Sequence, residues 1–184
     1  MRTFIAVDLP QEVKQKIDAV SSSLRKYGGR VSWVRAANLH LTLKFLGEIE
    51  EGLLPDLKRA LEERLSQVSK FEFSLKDLGA FPNFHKPRVI WVGIDSGAKE
   101  LTDLAIKVDE ATHSLGFEKE NRPFSAHLTI ARVKDPRTTS NLMPEVQNPL
   151  FDSEPIQAED VIIMKSQLTP HGAIYTPLAE IKLQ

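Results

Sequence analysis

NLHLTLKFLGE (residues 38–48) and RPFSAHLTIARV (residues 122–133) contain one phrase twice, HLTL at 40–43 and HLTI at 127–130. Each copy sets a histidine two residues ahead of a threonine inside an apolar run. Residues two apart on a strand share a face. His40 and Thr42 therefore project together while Leu41 and Leu43 turn to a core, and His127 and Thr129 project together above Leu128 and Ile130. Imidazole titrates near neutrality, so one ring can take a proton while another gives one. A hydroxyl can donate to an anionic oxygen. Two such pairs facing each other suit acid–base chemistry at a phosphate. The candidate catalytic residues are His40 and His127, with Thr42 and Thr129 as candidate phosphate ligands.

The surroundings of the phrase repeat as well. FIAVD (residues 4–8) reads as a short buried strand stopped by Pro10. Residues 11–27 place Val13, Ile17, Val20 and Leu24 on one helical face, and Gly28-Gly29 ends the helix. Strands follow over 31–34 and 39–46. The second half begins again with VIWVGID (89–95) as a strand. A helix over 97–115 carries Leu101, Leu104, Ile106, Val108 and Ala111, and a strand follows over 124–133. Asp8 precedes His40 by 32 residues, and Asp95 precedes His127 by 32 residues. The spacing predicts a duplicated strand–helix–strand unit in which each copy delivers one histidine about a pseudo-twofold axis. Other segments read as a helix over 53–68 with Pro55 in its first turn, a strand over 71–78, a loop over 136–155, and strands over 161–168 and 173–183. The fold class expected is α+β, with antiparallel sheets and helices on their outer faces. No linker divides the chain, so residues 1–184 are expected to form a single bilobal domain, with pseudo-repeat halves of roughly 1–85 and 86–184.

The 184 residues, 41% of them hydrophobic, suffice for one good core or two small fused ones. The formal net charge of −1 excludes a protein that coats nucleic acid through general basicity, so any such contact must be local. The chain has no cysteine, which excludes disulfides, thiolate nucleophiles and cysteine metal sites, and suits a reducing cytoplasm. MRTFIAVDLP turns polar too soon for a signal peptide. No apolar run approaches the roughly 20 residues of a membrane span. The expectation is a soluble, cytoplasmic monomer with no membrane partner.

Five histidines and nine threonines would yield about 0.2 His-x-Thr pairs by chance, so one copy says little. Two in matched apolar frames are much harder to dismiss. Zinc wants three or four ligands, often with two close in sequence. His40 and His127 are 87 residues apart, neither has a local second ligand, and nothing pairs His85, His113 or His171 with them. No metal is therefore expected. Acid–base attack on a phosphodiester needs only a neutral imidazole to deprotonate water, an imidazolium to protonate the departing alkoxide, and donors for the phosphoryl charge. Opposite protonation states imply a bell-shaped rate profile across neutral pH.

At these residues the sequence resembles the two-histidine (2H) phosphoesterase superfamily, and within it the RNA 2′,3′-cyclic phosphodiesterases, also called 2′-5′ RNA ligase-like proteins. The resemblance extends over RTFIAVDLP (2–10), NLHLTLKFLGE (38–48), PRVIWVG (87–93), RPFSAHLTIARV (122–133) and SQLTPHGAIYTPL (166–178). It implies two antiparallel sheets facing a central cleft that carries both motifs. It implies hydrolysis of a 2′,3′-cyclic phosphate at an RNA 3′ end to a 2′-phosphomonoester, and reversible 2′-5′ joining of RNA ends, with no metal or nucleotide cofactor. Small cyclic nucleotide-like phosphates, or RNA-end binding without turnover, are the alternatives. His40 is assigned as acid to the leaving 3′ oxygen and His127 as base on water, an order the sequence leaves open. Ala126 departs from the proline that relatives often place before the second histidine. Arg132 matches an arginine of the family and is the further candidate phosphate ligand. Five residues from His127, however, it falls on the opposite face of an ideal strand, so only a bulge or the strand end would aim it at phosphate.

Ideal alternation puts Lys44 on the His40 face, where it either lends positive potential or is simply solvated. The same alternation puts Phe45 on the core side. Phe124 and Trp33 are open to base stacking or to burial. His85, Lys86 and Arg88 form a proline-bracketed loop that either guides RNA or is merely solvated. His171 is expected in a turn, and Gly172 beside it to serve backbone geometry rather than ligand approach.

Overall fold

The computed structural model describes residues 1–148, 151–170 and 172–184. The chain opens with β1 (Arg2–Asp8), whose residues Thr3–Val7 are all buried, as an apolar run in a covered strand must be. Helix α1 (Gln11–Arg25) buries Ile17 and Leu24 and ends ahead of Gly28 and Gly29, both at positive φ that glycine adopts freely. Next come β2 (Arg30–Trp33), a 3₁₀ turn at Ala36–Asn38 and β3 (His40–Glu48). Helix α2 (Leu54–Leu65) takes Pro55 in its first turn and buries Leu57, Leu61 and Leu65.

The alternating run expected over 71–78 is two strands rather than one. β4 (Phe71–Phe73) and β5 (Leu75–Phe81) enter different sheets, and the break between them falls at Ser74, whose carbonyl accepts from the Asp95 amide. The second unit is β6 (Val89–Ile94), α3 (Ala98–His113) and β7 (Leu128–Asp135). On α3, Leu101, Leu104, Val108 and Ala111 are buried as expected. Ile106 is instead 49% exposed, since 3.6-residue periodicity turns it outward. The loop expected over 136–155 holds a 3₁₀ turn at Pro136–Thr138 and a short helix, α4 (Met143–Gln147), whose Met143 and Val146 are buried. β8 (Ile156–Ala158), β9 (Asp160–Thr169) and β10 (Gly172–Lys182) complete the chain. His171 lies outside the described residues.

The fold is α+β and two-lobed. One antiparallel sheet has the order β10-β9-β1-β3, the other β2-β7-β6-β5, and β4 pairs with β8 apart from both. The two units correspond: β1 pairs with β3 as β6 pairs with β7. Each unit's helix reaches toward the other unit's sheet. α3 packs against β3, where Lys44 meets Asp109. α1 reaches the second sheet, where the Arg25 guanidinium lies 5.8 Å from the Trp33 ring on β2. This crossing joins the apolar faces of both sheets in one hydrophobic cluster that includes Leu41, Leu43, Leu128 and Ile130. Each fully buried side chain of that size contributes about 1.5–3 kcal/mol.

Candidate active site

His40 begins β3, opposite Asp8 on β1. Its Nδ1 donates to the Asn38 carbonyl at 2.7 Å, and since a carbonyl cannot donate, this bond puts the neutral ring's proton on Nδ1. Nε2 then accepts from Thr42 Oγ1 at 2.9 Å. Asn38 also ties this turn to β10, its Nδ2 donating to the Ala173 carbonyl at 2.7 Å. The ring stacks on Phe4 with centroids 4.6 Å apart, and Tyr175 of β10 stands edge-on at 5.1 Å. Burial in this aromatic enclosure lowers the His40 pKa from its ordinary 6.5, against the upward pull of the Asn38 bond and the Asp8 charge. Lys14, which adds to the lowering, forms an ion pair with Asp8 at 2.7 Å.

His127 sits immediately before β7 rather than inside the expected strand over 124–133. Its Nδ1 donates to the Ser125 carbonyl at 2.7 Å, the counterpart of the His40–Asn38 bond. By the same reasoning its Nε2 carries the free lone pair when the ring is neutral. Phe81 stands edge-on to it at 5.1 Å and leans on Trp91 at the same centroid distance. Trp91 lies opposite Thr129 across β6 and β7. Its indole covers Gly79, where an added Cβ would come within 2.1 Å of the ring, so only glycine leaves this space. Among the described residues no hydrogen bond joins His127 to Thr129, unlike the His40–Thr42 pair.

Both phrases contain a bulge at the same place. Ala6 pairs with Thr42 and then Ile5 with Lys44, so Leu43 is the extra residue. Trp91 pairs with Thr129 and then Ile90 with Ala131, so Ile130 is the extra residue. An extra residue resets alternation. Lys44, expected on the His40 face, turns inward to 4% exposure and donates to Asp109 Oδ1 at 2.5 Å and to the Glu118 carbonyl at 2.8 Å. Phe45, expected toward the core, is 58% exposed on the Thr42 face, its ring 5.8 Å from Phe4. Arg132 joins the Thr129 face, exposed between Val89 of β6 and Ser32 of β2. The bulge thus supplies the redirection that ideal strand geometry withholds.

One part of the repeat does not survive in the pairing. Asp8 faces His40, but Val92 faces Leu128, so continuing that register brings Gly93, not Asp95, opposite His127. Asp95 instead lies 3.7 Å from Lys76. The equal 32-residue spacings are therefore two residues out of structural register, while the histidines, threonines and bulges correspond.

The strands bearing the two phrases, β3 and β7, lie against each other where the sheets meet. Trp33 and Phe124 are half-buried and packed against the core. Phe4, Phe45, Phe81, Trp91 and Tyr175 are the aromatics around the histidines. The sequence assigned Phe45 to the core side and gave the other four no role at the site, because only strand pairing brings β1, β5, β6 and β10 beside the two phrases. Tyr175 lay within a stretch that carried the resemblance. His113 Nδ1 donates to the Phe117 carbonyl at the end of α3, and His85 is exposed in the 82–88 loop. Among the described residues no group of three or more His, Cys, Asp or Glu side chains is placed to hold a metal ion, and no helix is long and apolar enough to cross a membrane.

Two pseudo-equivalent strands carrying His-x-Thr on facing units of an α+β fold define the class. The family described as "LigT like Phosphoesterase" matches residues 7–91 and again residues 92–175. The chain belongs to this family. It is 39% identical to an RNA 2′,3′-cyclic phosphodiesterase of Archaeoglobus fulgidus, covering 97% of this chain and 98% of the relative. It is 33% identical to one of Methanothermobacter thermautotrophicus, covering 100% and 99%. A crystal structure from Thermus thermophilus matches with a TM-score of 0.82 at 30% identity, covering 100% of this chain and 98% of that one. E. coli LigT complexed with 3′-AMP matches at 0.81 and 27% identity, covering 99% and 97%.

Proposed function

We propose that this chain hydrolyses 2′,3′-cyclic phosphate ends of RNA to 2′-phosphomonoesters, with His40 and His127 acting on one phosphate without a metal. The observation that carries this reading is the pair of His-x-Thr units at the same bulged position of adjoining, pseudo-equivalent strands, each ring held through Nδ1 so that Nε2 does the work. Relatives named for this activity match the chain end to end. One imidazole takes a proton from water as its oxygen attacks phosphorus. The other, as imidazolium, gives a proton to O3′ as the P–O3′ bond breaks, leaving phosphate on O2′. Burial that lowers the His40 pKa keeps this ring neutral near pH 7, which supports His40 as the base and His127 as the acid, the reverse of the order assigned from sequence. Thr42, Thr129 and Arg132 share the faces of the two histidines and donate to the phosphoryl oxygens, the Thr42 hydroxyl turning from His40 Nε2 to do so and freeing that nitrogen for water. An RNA 5′-hydroxyl in place of water would give the 2′-5′ linkage by the same two transfers.

The test is a short RNA ending in a 2′,3′-cyclic phosphate, incubated with and without a chelator, with the product phosphate located on its ribose oxygen. A 2′-phosphate in both arms is expected. Replacing either histidine by alanine should cut turnover by about 10²–10⁴ with the fold intact. Normal turnover in both variants, or loss of activity with chelator, would reject the mechanism.

A further inference from the structure

Beyond the histidines, the second sheet carries positive charge into a concavity that the proposed chemistry does not use. The cavity, about 630 Å³, is lined by Arg30, Lys86, Arg88, Lys134 and Arg137, with Asp135 as its single carboxylate. Asp135 is committed to Arg137, which donates through Nε and Nη2 to its two oxygens at 3.0 Å each. Arg30, Lys86, Arg88 and Lys134 are exposed and form no ion pair among the described residues. Elsewhere the surface pairs many of its cations, as in Lys99–Asp103, Arg59–Asp56 and Lys182–Asp160. In a chain of net charge −1, five cations against one carboxylate around one concavity make a local positive field.

The cavity continues the histidine-bearing face. From His127, just before β7, the outward residues along the strand run Thr129, Arg132 and Lys134, the last two aligned with Thr129 by the bulge at Ile130. Pro82, at the cavity wall, follows Phe81, the ring against His127. Arg88 is fixed beside β7, its carbonyl accepting from the Val133 amide at 2.9 Å and its amide donating to the Phe81 carbonyl at 2.7 Å. From Thr129 to Lys134 is about 13 Å, four strand steps of roughly 3.3 Å, because the bulge at Ile130 adds a residue without adding a step. That reach exceeds a single nucleotide, so the cavity lies beyond the reacting end.

Resting on the proposed activity, we infer that this basic concavity binds backbone phosphates of RNA nucleotides 5′ to the cyclic end, and that it makes the protein prefer RNA chains to cyclic mononucleotides. Flexible ammonium and guanidinium groups around an open cavity hold phosphates without reading bases, so the preference is for chain length rather than sequence.

The test compares an eight-nucleotide RNA bearing a 2′,3′-cyclic phosphate with a 2′,3′-cyclic mononucleotide, using the wild type and the triple variant K86Q/R88Q/K134Q. All three substituted side chains are exposed, and mononucleotide turnover reports that the variant is folded and its histidines intact. The expected result is a wild-type KM at least tenfold lower for the oligonucleotide. In the variant that KM should rise about tenfold, with mononucleotide kinetics unchanged. The dependence of log KM on log salt should become shallower by about 2, since each single-strand phosphate that the protein no longer neutralises removes roughly 0.7 from the slope. Equal wild-type KM values, or an unchanged oligonucleotide KM in the variant, would overturn this inference while leaving the proposed activity standing. A wild type that hydrolyses neither substrate would overturn both.

Discussion

The bulges at Leu43 and Ile130 predict a double dissociation between Arg132 and Lys44. Without the bulges, Lys44 would stand over the site and Arg132 would point to the core. With them, Arg132 is exposed on the Thr129 face, and Lys44 is buried against Asp109 and the Glu118 carbonyl. A hydrogen bond from a charged donor is worth about 1.5–3 kcal/mol. Losing one at the transition state costs about 10- to 150-fold at 1.36 kcal/mol per decade. Arg132→Ala should therefore lower kcat/KM on a cyclic-phosphate RNA by about 10- to 150-fold, while changing stability by no more than about 0.5 kcal/mol, as for an ordinary surface substitution. Lys44→Met should do the opposite. It leaves a mostly buried Asp109 without its cation, at a cost of about 3 kcal/mol, which for a chain of this length lowers Tm by about 6–12 °C. Its kcat/KM, measured well below that Tm, should stay within about twofold. The assays are steady-state kinetics and thermal unfolding on the same preparations. An Arg132→Ala variant with wild-type kcat/KM, or a Lys44→Met variant that melts normally but loses activity, would refute the bulged geometry as the organiser of the site.

Other outcomes follow from the same contacts. Because burial lowers the His40 pKa, the unfolded chain binds more protons than the native one between the lowered value and 6.5. Stability should therefore rise with pH through that window and level off above it; urea midpoints from pH 5 to 7.5 should show a shallower slope in His40→Gln, and an unchanged slope would count against the enclosure. Asp109 behaves in the converse sense. Its burial would raise the pKa, but the bonds from Lys44 and the Glu120 amide outweigh it, so the stability this pair contributes is present above the ordinary value of 3.8 and lost as pH falls through the lowered one. Acid unfolding of Lys44→Met should lack that component. Asn38→Ala removes the amide that ties the turn before His40 to β10, while the carbonyl that holds Nδ1 remains. We expect kcat to fall about tenfold from loosened positioning with KM little changed, and an unaltered kcat would make the tie purely structural. Gly79→Ala drives a methyl into the Trp91 ring and should cost about 1–3 kcal/mol in a denaturant titration; a neutral result would mean the indole has room to move.

The amino-acid sequence by itself determined the candidate reacting groups and the plan that carries them. His-x-Thr within LTL and LTI runs reads as a strand with a chemical face and a core face, and its recurrence after a second strand and helix pointed to a duplicated α+β fold. Periodicity also located α1, α2 and α3 to within a few residues, because an amphipathic helix announces its buried stripe locally. Whatever depended on pairing between distant segments was decided by tertiary structure alone. A bulge is a mismatch between two strands, so neither strand records it, and the true faces of Lys44, Phe45 and Arg132 follow from it. Phe4, Tyr175 and Phe81 reach the histidines only because β1, β10 and β5 come to lie beside or near β3 and β7. The lowered pKa of His40 has the same origin, since desolvation belongs to an enclosure that no single segment encodes. The basic cavity likewise gathers residues from β2, the 82–88 loop and the end of β7, whose charges are scattered along the chain and become one field only when the sheet is formed.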